Sequence, residues 1–270
     1  MKDSGKIRVG IGGWTYEPWR DGVFFPVKWP QARELEYAAS KMTAIEVNGT
    51  YYSGFQPKTF RRWHDETPDG FVFTLKASRF CTNRKVLAEA GESVGKFCNQ
   101  GISELGPKLG AILWQFMATK KFDAADMAAF IKLLPESVDG VKLRHAIEVR
   151  HDSFLHPDFV KMCRDANAAI VFADSGKYPA LADVTADFMY ARLEDAKAEV
   201  ETGYTAAELD QWAKVAKSWA EGHQADGLPY ADRASHIPGK SADVFVFMIN
   251  GAKERAPRAA MELIERVGRP

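Results

Sequence analysis

The chain has 270 residues, 27% of them charged, with 36 basic and 36 acidic side chains and a formal net charge of zero. That balance supplies no global field for nucleic acid or an acidic membrane surface, so neither partner is expected. The amino-terminal Met1-Lys2-Asp3-Ser4-Gly5-Lys6 leads directly into a strand-like run, and no apolar stretch reaches the roughly 18 residues of a membrane helix. Cys81, Cys98 and Cys163 are widely spaced and form no Cys-x-x-Cys pair. Neither a disulfide framework nor a structural zinc site is expected, and a reducing, cytoplasmic setting is.

Apolar runs of strand character recur at Ile7–Gly13, Thr43–Asn48, Phe71–Lys76, Gly110–Gln115, His145–Arg150, Ala169–Asp174, Phe188–Arg192 and Val244–Asn250. Most are followed by a helix-like stretch. Pro30–Met42 places Leu35, Ala38 and Ala39 on one side, and Asp123–Leu134 opens on an acidic cap with Met127, Phe130, Ile131 and Leu134 along one stripe. The alternation predicts a (β/α)8 TIM-like barrel, a single domain over 1–270, with function at the carboxyl ends of its strands. Two irregular stretches interrupt it. Ser78–Gly95, carrying Arg79, Arg84 and Lys85, leaves the third strand and is expected to border or cover the pocket as a mobile lid, while Glu221–Ser241 arrives from the opposite face.

Strand alternation selects the candidate site. In Ala44-Ile45-Glu46-Val47-Asn48 the branched Ile45 and Val47 share one face, which leaves Glu46 and Asn48 on the other, pointing into the barrel. The same rule pairs Glu148 with Arg150, and it directs Lys76, Gln115, Asp174, Arg192 and Asn250 inward as well. Because a buried unpaired charge costs several kcal/mol, such a ring must be internally paired or open to a ligand.

These residues resemble the YecE-like proteins, domain of unknown function 72. The resemblance rests on Val9-Gly10-Ile11-Gly12-Gly13-Trp14, Ile45-Glu46-Val47-Asn48-Gly49-Thr50-Tyr51-Tyr52, Thr59-Phe60-Arg61-Arg62-Trp63 and Phe73-Thr74-Leu75-Lys76. It continues through Leu113-Trp114-Gln115-Phe116, Glu148-Val149-Arg150-His151, Ala173-Asp174, Tyr190-Ala191-Arg192-Leu193 and Ala256-Pro257-Arg258. It implies a TIM-like barrel and no agreed activity. The chain departs from the family pattern at Thr82-Asn83, Met117-Ala118, Glu194-Asp195 and Ile249-Asn250-Gly251, where members commonly carry His, Pro, His-Gly and Asn-Asn-Asp.

Each candidate has a chemical and a structural reading. Glu46 and Glu148 are read as general acid and base, or as interior partners of Arg150 and Arg192. Lys76 is read as an anion clamp in preference to a Schiff-base nucleophile, because three carboxylates would stabilise its ammonium form. Arg150 and Arg192 are read as bidentate clamps, Asn48, Gln115 and Asp174 as orienting groups, and His151 as a mouth residue placed for proton transfer. Asn250 is read as a further substrate-binding residue. Trp14, Tyr16, Trp19, Tyr51 and Tyr52 could stack on a ligand or pack the loops.

The other histidines are assigned away from the mouth: His64, His156 and His223 to helices or their edges, His145 to a strand start and His236 to a loop. Gly10, Gly12 and Gly13 form no dinucleotide fingerprint, and there is no P-loop or His-Glu-x-x-His. The reading that follows is an enzyme for a small anionic, sugar-like metabolite, working by proton transfer or hydrolysis without an organic cofactor. A divalent cation on Glu46, Glu148 and Asp174 is the minority alternative for the site. A nucleic-acid phosphodiesterase and a non-catalytic ligand sensor are the alternative functions.

Overall fold

A computed structural model describes residues 4–235 and 241–270, so His236 and residues 236–240 of the second irregular stretch lie outside the described residues. Eight parallel strands form: β1 (Ile7–Gly12), β2 (Ala44–Val47), β3 (Val72–Lys76), β4 (Leu109–Gln115), β5 (His145–Glu148), β6 (Ala169–Asp174), β7 (Phe188–Leu193) and β8 (Asp243–Met248). They close in chain order, with β1 pairing both β2 and β8. A small antiparallel pair, Ser137–Val138 with Val141–Lys142, precedes β5.

Strands β1, β2, β5 and β8 end one or two residues earlier than their apolar runs suggest. Chain turns begin at Gly49–Tyr51 and at Asp152–Phe154, so Asn48 and Arg150 project from the loops that leave β2 and β5. The helix expected from Pro30 opens as a 3-10 turn over Gln31–Arg33, and α1 proper spans Glu34–Lys41. Further helices are α2 (Pro57–Asp65), α3 (Arg79–Thr82), α4 (Gly91–Cys98), α5 (Ala124–Lys132), α6 (Pro157–Asp165), α7 (Ala206–Ala220) and α8 (Ala256–Val267). Asp123 caps α5 as expected, and Thr205 with Glu208 forms a reciprocal capping box on α7. Among the described residues no helix is long and apolar enough to cross a membrane.

Ser78–Gly95 is built rather than irregular. It contains α3, a 3-10 turn at Leu87–Ala90 and the start of α4. Arg84 donates to the Phe80 carbonyl and the Ser93 hydroxyl, Lys120 to the Lys85 carbonyl, and the Ala88 amide to Asp126. Its Asn83 donates to the Tyr51 phenol above the pocket.

Two apolar layers position the site. The outer layer joins strands to helices and contains the free, buried Cys81, Cys98 and Cys163. Burial pushes the Cys81 and Cys98 thiols up to about 12 and raises that of Cys163 as well. The inner layer fills the barrel with Val72, Leu113, Val171, Phe188, Tyr190, Phe245 and Phe247. Strand β1 faces this interior with Arg8, whose guanidinium lies over the Phe245 ring, and with Gly10 and Gly12, and a side-chain carbon at Gly10 would collide with the Ala44 carbonyl. At the amino-terminal end Asp243 accepts from Arg144 at 2.9 Å and from the Lys6 amide at 3.0 Å, with Arg8 at 3.6 Å. The carboxyl-terminal end, above the aromatic floor, carries the polar ring.

Candidate functional site

Period-2 parity places Ala44 and Glu46 of β2 inside, with Ile45 and Val47 in the outer layer. Glu46 has no exposed surface and each of its oxygens accepts twice. Oε1 takes Asn48 Nδ2 at 3.0 Å and Arg192 Nη2 at 3.1 Å, while Oε2 takes the Tyr190 hydroxyl at 2.7 Å and Arg192 Nε at 3.1 Å. Burial and the neighbouring Glu46 charge raise the Tyr190 pKa well above its usual value, so the phenol keeps its proton as a donor. That proton is committed to Glu46, and Thr74 therefore donates its own to the Tyr190 oxygen across 2.8 Å.

Glu148 is saturated in the same way. Gln115 Nε2 lies 2.9 Å from both oxygens, Arg150 Nε donates to Oε1 at 2.7 Å, and Arg192 Nη1 donates to Oε2 at 2.8 Å. Burial alone would raise this carboxyl, but Arg192, Arg150 and the Gln115 amide hold it below the usual carboxylate range. Arg192 also bonds Glu194 at 2.8 Å, and Glu194 accepts from Asn250 at 3.1 Å. Burial opposes the Arg192 charge, yet its three carboxylates outweigh that penalty and raise its pKa. Its guanidinium therefore links β2, β5 and β7 across the barrel, and is not a ligand clamp waiting to be filled.

Lys76 differs from every other charge in the ring. Among the described residues no carboxylate lies within ion-pair distance of its Nζ, which sits 4.5 Å from the centre of the Tyr51 ring. Tyr51 is held by Asn83, whose amide donates to the phenol oxygen at 2.9 Å. Partial burial, and then the Arg192 charge, lower the Lys76 pKa despite the opposing influence of Glu46 and Glu148. The pairing expected to stabilise this ammonium is thus absent, because Arg192, Arg150, Gln115, Tyr190 and Asn48 occupy those carboxylates first. Arg150 spends only Nε on Glu148 and stacks over Tyr178 with 4.5 Å from its central carbon to the ring centre. Among the described residues its two terminal nitrogens have no protein hydrogen bond.

Several expected site residues stand elsewhere. Asp174 is not in the ring: Ala169, Val171 and Ala173 of β6 face inward, Ala173 aligning with Arg192, so Asp174 follows Ile170 and Phe172 to the helix side. Burial, and then Asp195, Glu194 and Glu208, raise its pKa there. The cation set Glu46, Glu148 and Asp174 consequently does not converge, and Arg192 stands between the first two. Among the described residues no group of three His, Cys, Asp or Glu side chains could hold a metal.

Trp14 packs edge-on against Trp63 at 5.3 Å and against Phe73, in the outer layer. Trp19 is buried and donates to the Lys253 carbonyl, with Tyr16 against it. Of the expected aromatic wall, Tyr51 therefore reaches the ring charges, with Tyr52 packed edge-on behind it. His151 caps the turn Asp152–Phe154, its Nδ1 accepting from the Ser153 amide. Asn250 reaches the rim only through Glu194, since Ile249 takes the inward place. Thr74, Tyr178, Tyr190 and Glu194 were not among the candidates. Thr74, Tyr190 and Glu194 lie two residues from Lys76 or Arg192, so the same parity finds them.

Residues 8–270 match the family described as Protein of unknown function DUF72. The chain belongs to the DUF72 family. It is 28% identical over 149 residues to UPF0759 protein YecE of Escherichia coli strain K12, covering 55% of this chain and 50% of that protein. The chain thus spans about half the length of the curated relatives it matches. Among solved structures, a DUF72 family protein from Thermotoga maritima superposes with a TM-score of 0.72 at 21% identity, over 96% of this chain and 98% of the other. Another from Enterococcus faecalis gives 0.70 at 17% identity, over 97% and 98%. A xylose isomerase-like TIM barrel/4-hydroxyphenylpyruvate dioxygenase fusion protein gives 0.51 at 14% identity, over 94% of this chain and 41% of that one. At these identities the likeness is one of fold, and it agrees with the closed DUF72 barrel described above.

Proposed function

We propose that this DUF72 protein is an enzyme for a small anionic metabolite, a phosphorylated or carboxylated sugar-like compound, bound at the carboxyl-terminal mouth of the barrel. The observation that carries the reading is the unequal pairing of the ring. Every oxygen of Glu46 and Glu148 already accepts a hydrogen bond, whereas among the described residues Lys76 has no carboxylate within ion-pair distance and the two terminal nitrogens of Arg150 have no protein hydrogen bond. A partly buried lysine without a carboxylate is completed by an anion, and the free edge of a guanidinium suits carboxylate or phosphate.

In this reading Glu46 and Glu148 hold and orient Arg192 and Arg150. Neither carboxylate offers a free lone pair, so proton transfer falls to Lys76, which has the perturbed pKa expected of a working group. Isothermal titration with inorganic phosphate and with citrate tests the binding. Heat of binding by the native protein, lost in both Lys76→Met and Arg150→Met, is the expected result. Equal binding by all three proteins would sink the assignment, and binding that never leads to turnover of any sugar phosphate or sugar acid would make the protein a sensor.

A further inference from the structure

We propose that Lys76 is an imine-forming amine, and that the compound bound at this mouth carries an aldehyde or ketone carbonyl beside its anionic group. The inference rests on the anion-site reading above and narrows its substrate class. An amine attacks a carbonyl only through its neutral form, so the residue must escape the carboxylate partners that normally fix lysine as ammonium. Lys76 meets that condition by geometry. It ends β3, its side chain points inward with Val72 and Thr74, and the two nearest buried carboxylates are saturated by other donors. Burial, and then the Arg192 and Arg150 charges, outweigh the opposing influence of Glu46 and Glu148, so the neutral amine is favoured relative to an exposed lysine.

The neighbouring groups fit the other half of such a substrate. Arg150, fixed between Glu148 and the face of Tyr178, presents its free edge to an anion and would leave the carbonyl to reach Nζ. The Tyr51 ring, itself held by Asn83, bounds the amine on one side and limits its rotamers. The step needs no oxidant or reductant. The lysine lone pair forms a C–N bond to the carbonyl carbon, the two amine protons pass from nitrogen to the carbonyl oxygen, and that oxygen leaves as water as the C=N bond forms. Hydrolysis returns both reactants. Once protonated, the imine withdraws electrons from the adjacent C–H or C–C bond, which is what an isomerase or lyase of this substrate class requires.

Trapping with cyanoborohydride tests this with glyoxylate as an anionic aldehyde and propanal as a neutral one, adducts being located by peptide mass mapping. The expected result is labelling of Lys76 by glyoxylate faster than of exposed Lys58 and Lys96, abolished in Lys76→Arg, slowed by added phosphate, and slowed in Arg150→Met for glyoxylate but not for propanal. Thermal unfolding of each variant confirms that it is folded. Labelling of Lys76 no faster than of Lys58, while phosphate still gives heat of binding, overturns the imine and leaves the anion site standing. Absence of both selective labelling and phosphate binding removes the two readings together.

Discussion

Arg192 and Lys76 show two opposite ways for this fold to carry a cation. Arg192 is 2% exposed and bonded to Glu46, Glu148 and Glu194. Removing one member of a buried ionic network leaves its partners uncompensated, which costs about 3–5 kcal/mol. Arg192→Met should therefore lose about that much in urea denaturation, and a loss under about 1 kcal/mol would show that the network does not hold the barrel together. Lys76 has no such network, and its charged form is disfavoured by burial and by Arg192. Lys76→Met is expected to raise stability at neutral pH by about 1 kcal/mol while losing phosphate binding, as happens where a site is maintained at the expense of stability. A drop in melting temperature would count against that.

Strand parity made much of the site legible, and β6 shows where it stops. In β2 the alternation of Ile45 and Val47 with Glu46 marks the inner face without ambiguity, and the structure places Glu46, Lys76, Gln115, Glu148 and Arg192 accordingly. Ala169-Ile170-Val171-Phe172-Ala173 is apolar on both faces, because both are buried, so polarity cannot say which way Asp174 points. The register with β7 decides it: Ala173 lies beside Arg192, and Asp174 beside Leu193, which packs in the outer layer. What no local pattern supplied was the pairing itself. Which cation wins Glu46 and Glu148 depends on the lateral order of three strands, and that decided the state of Lys76.

Asp174 yields its own test. Its folded pKa is raised, so the ionised form is disfavoured in the native state, and that penalty is fully present above the folded pKa and vanishes below its ordinary value of 3.8. Asp174→Asn should stabilise the protein at pH 7 and have little effect at about pH 3.5. Its phosphate affinity should match the native protein, because the side chain is outside the ring. A weakened affinity would return Asp174 to the pocket.

The barrel as a whole carries its ionic groups at both ends, with Phe188, Tyr190, Phe245 and Phe247 between. At the mouth Glu148, and at the opposite end Asp243, both have depressed pKa values; for Asp243 burial is outweighed by the Lys6 amide and by Arg144 and Arg8. A carboxylate of lowered folded pKa contributes stability that is complete above its unfolded value and is lost as pH falls through the folded one. Stability should therefore begin to decline near pH 4.5 for Glu148 and 3.8 for Asp243 and continue to fall below. Urea titrations across this range should give a shallower acid slope for Glu148→Gln and Asp243→Asn than for the native chain. An unchanged slope would move the acid sensitivity elsewhere.

The three buried thiols give the molecule a built-in clock. Alkylation requires a thiolate and an open path, and burial denies Cys81, Cys98 and Cys163 both until the surrounding core opens. At saturating iodoacetamide the labelling rate of each cysteine is then the opening rate of its own part of the wall: α3, the end of α4, or α6. Three equal rates would mean that the barrel opens all at once. A faster Cys81 would mean that the segment above Lys76 detaches first, exposing the amine while the rest of the ring stays shut.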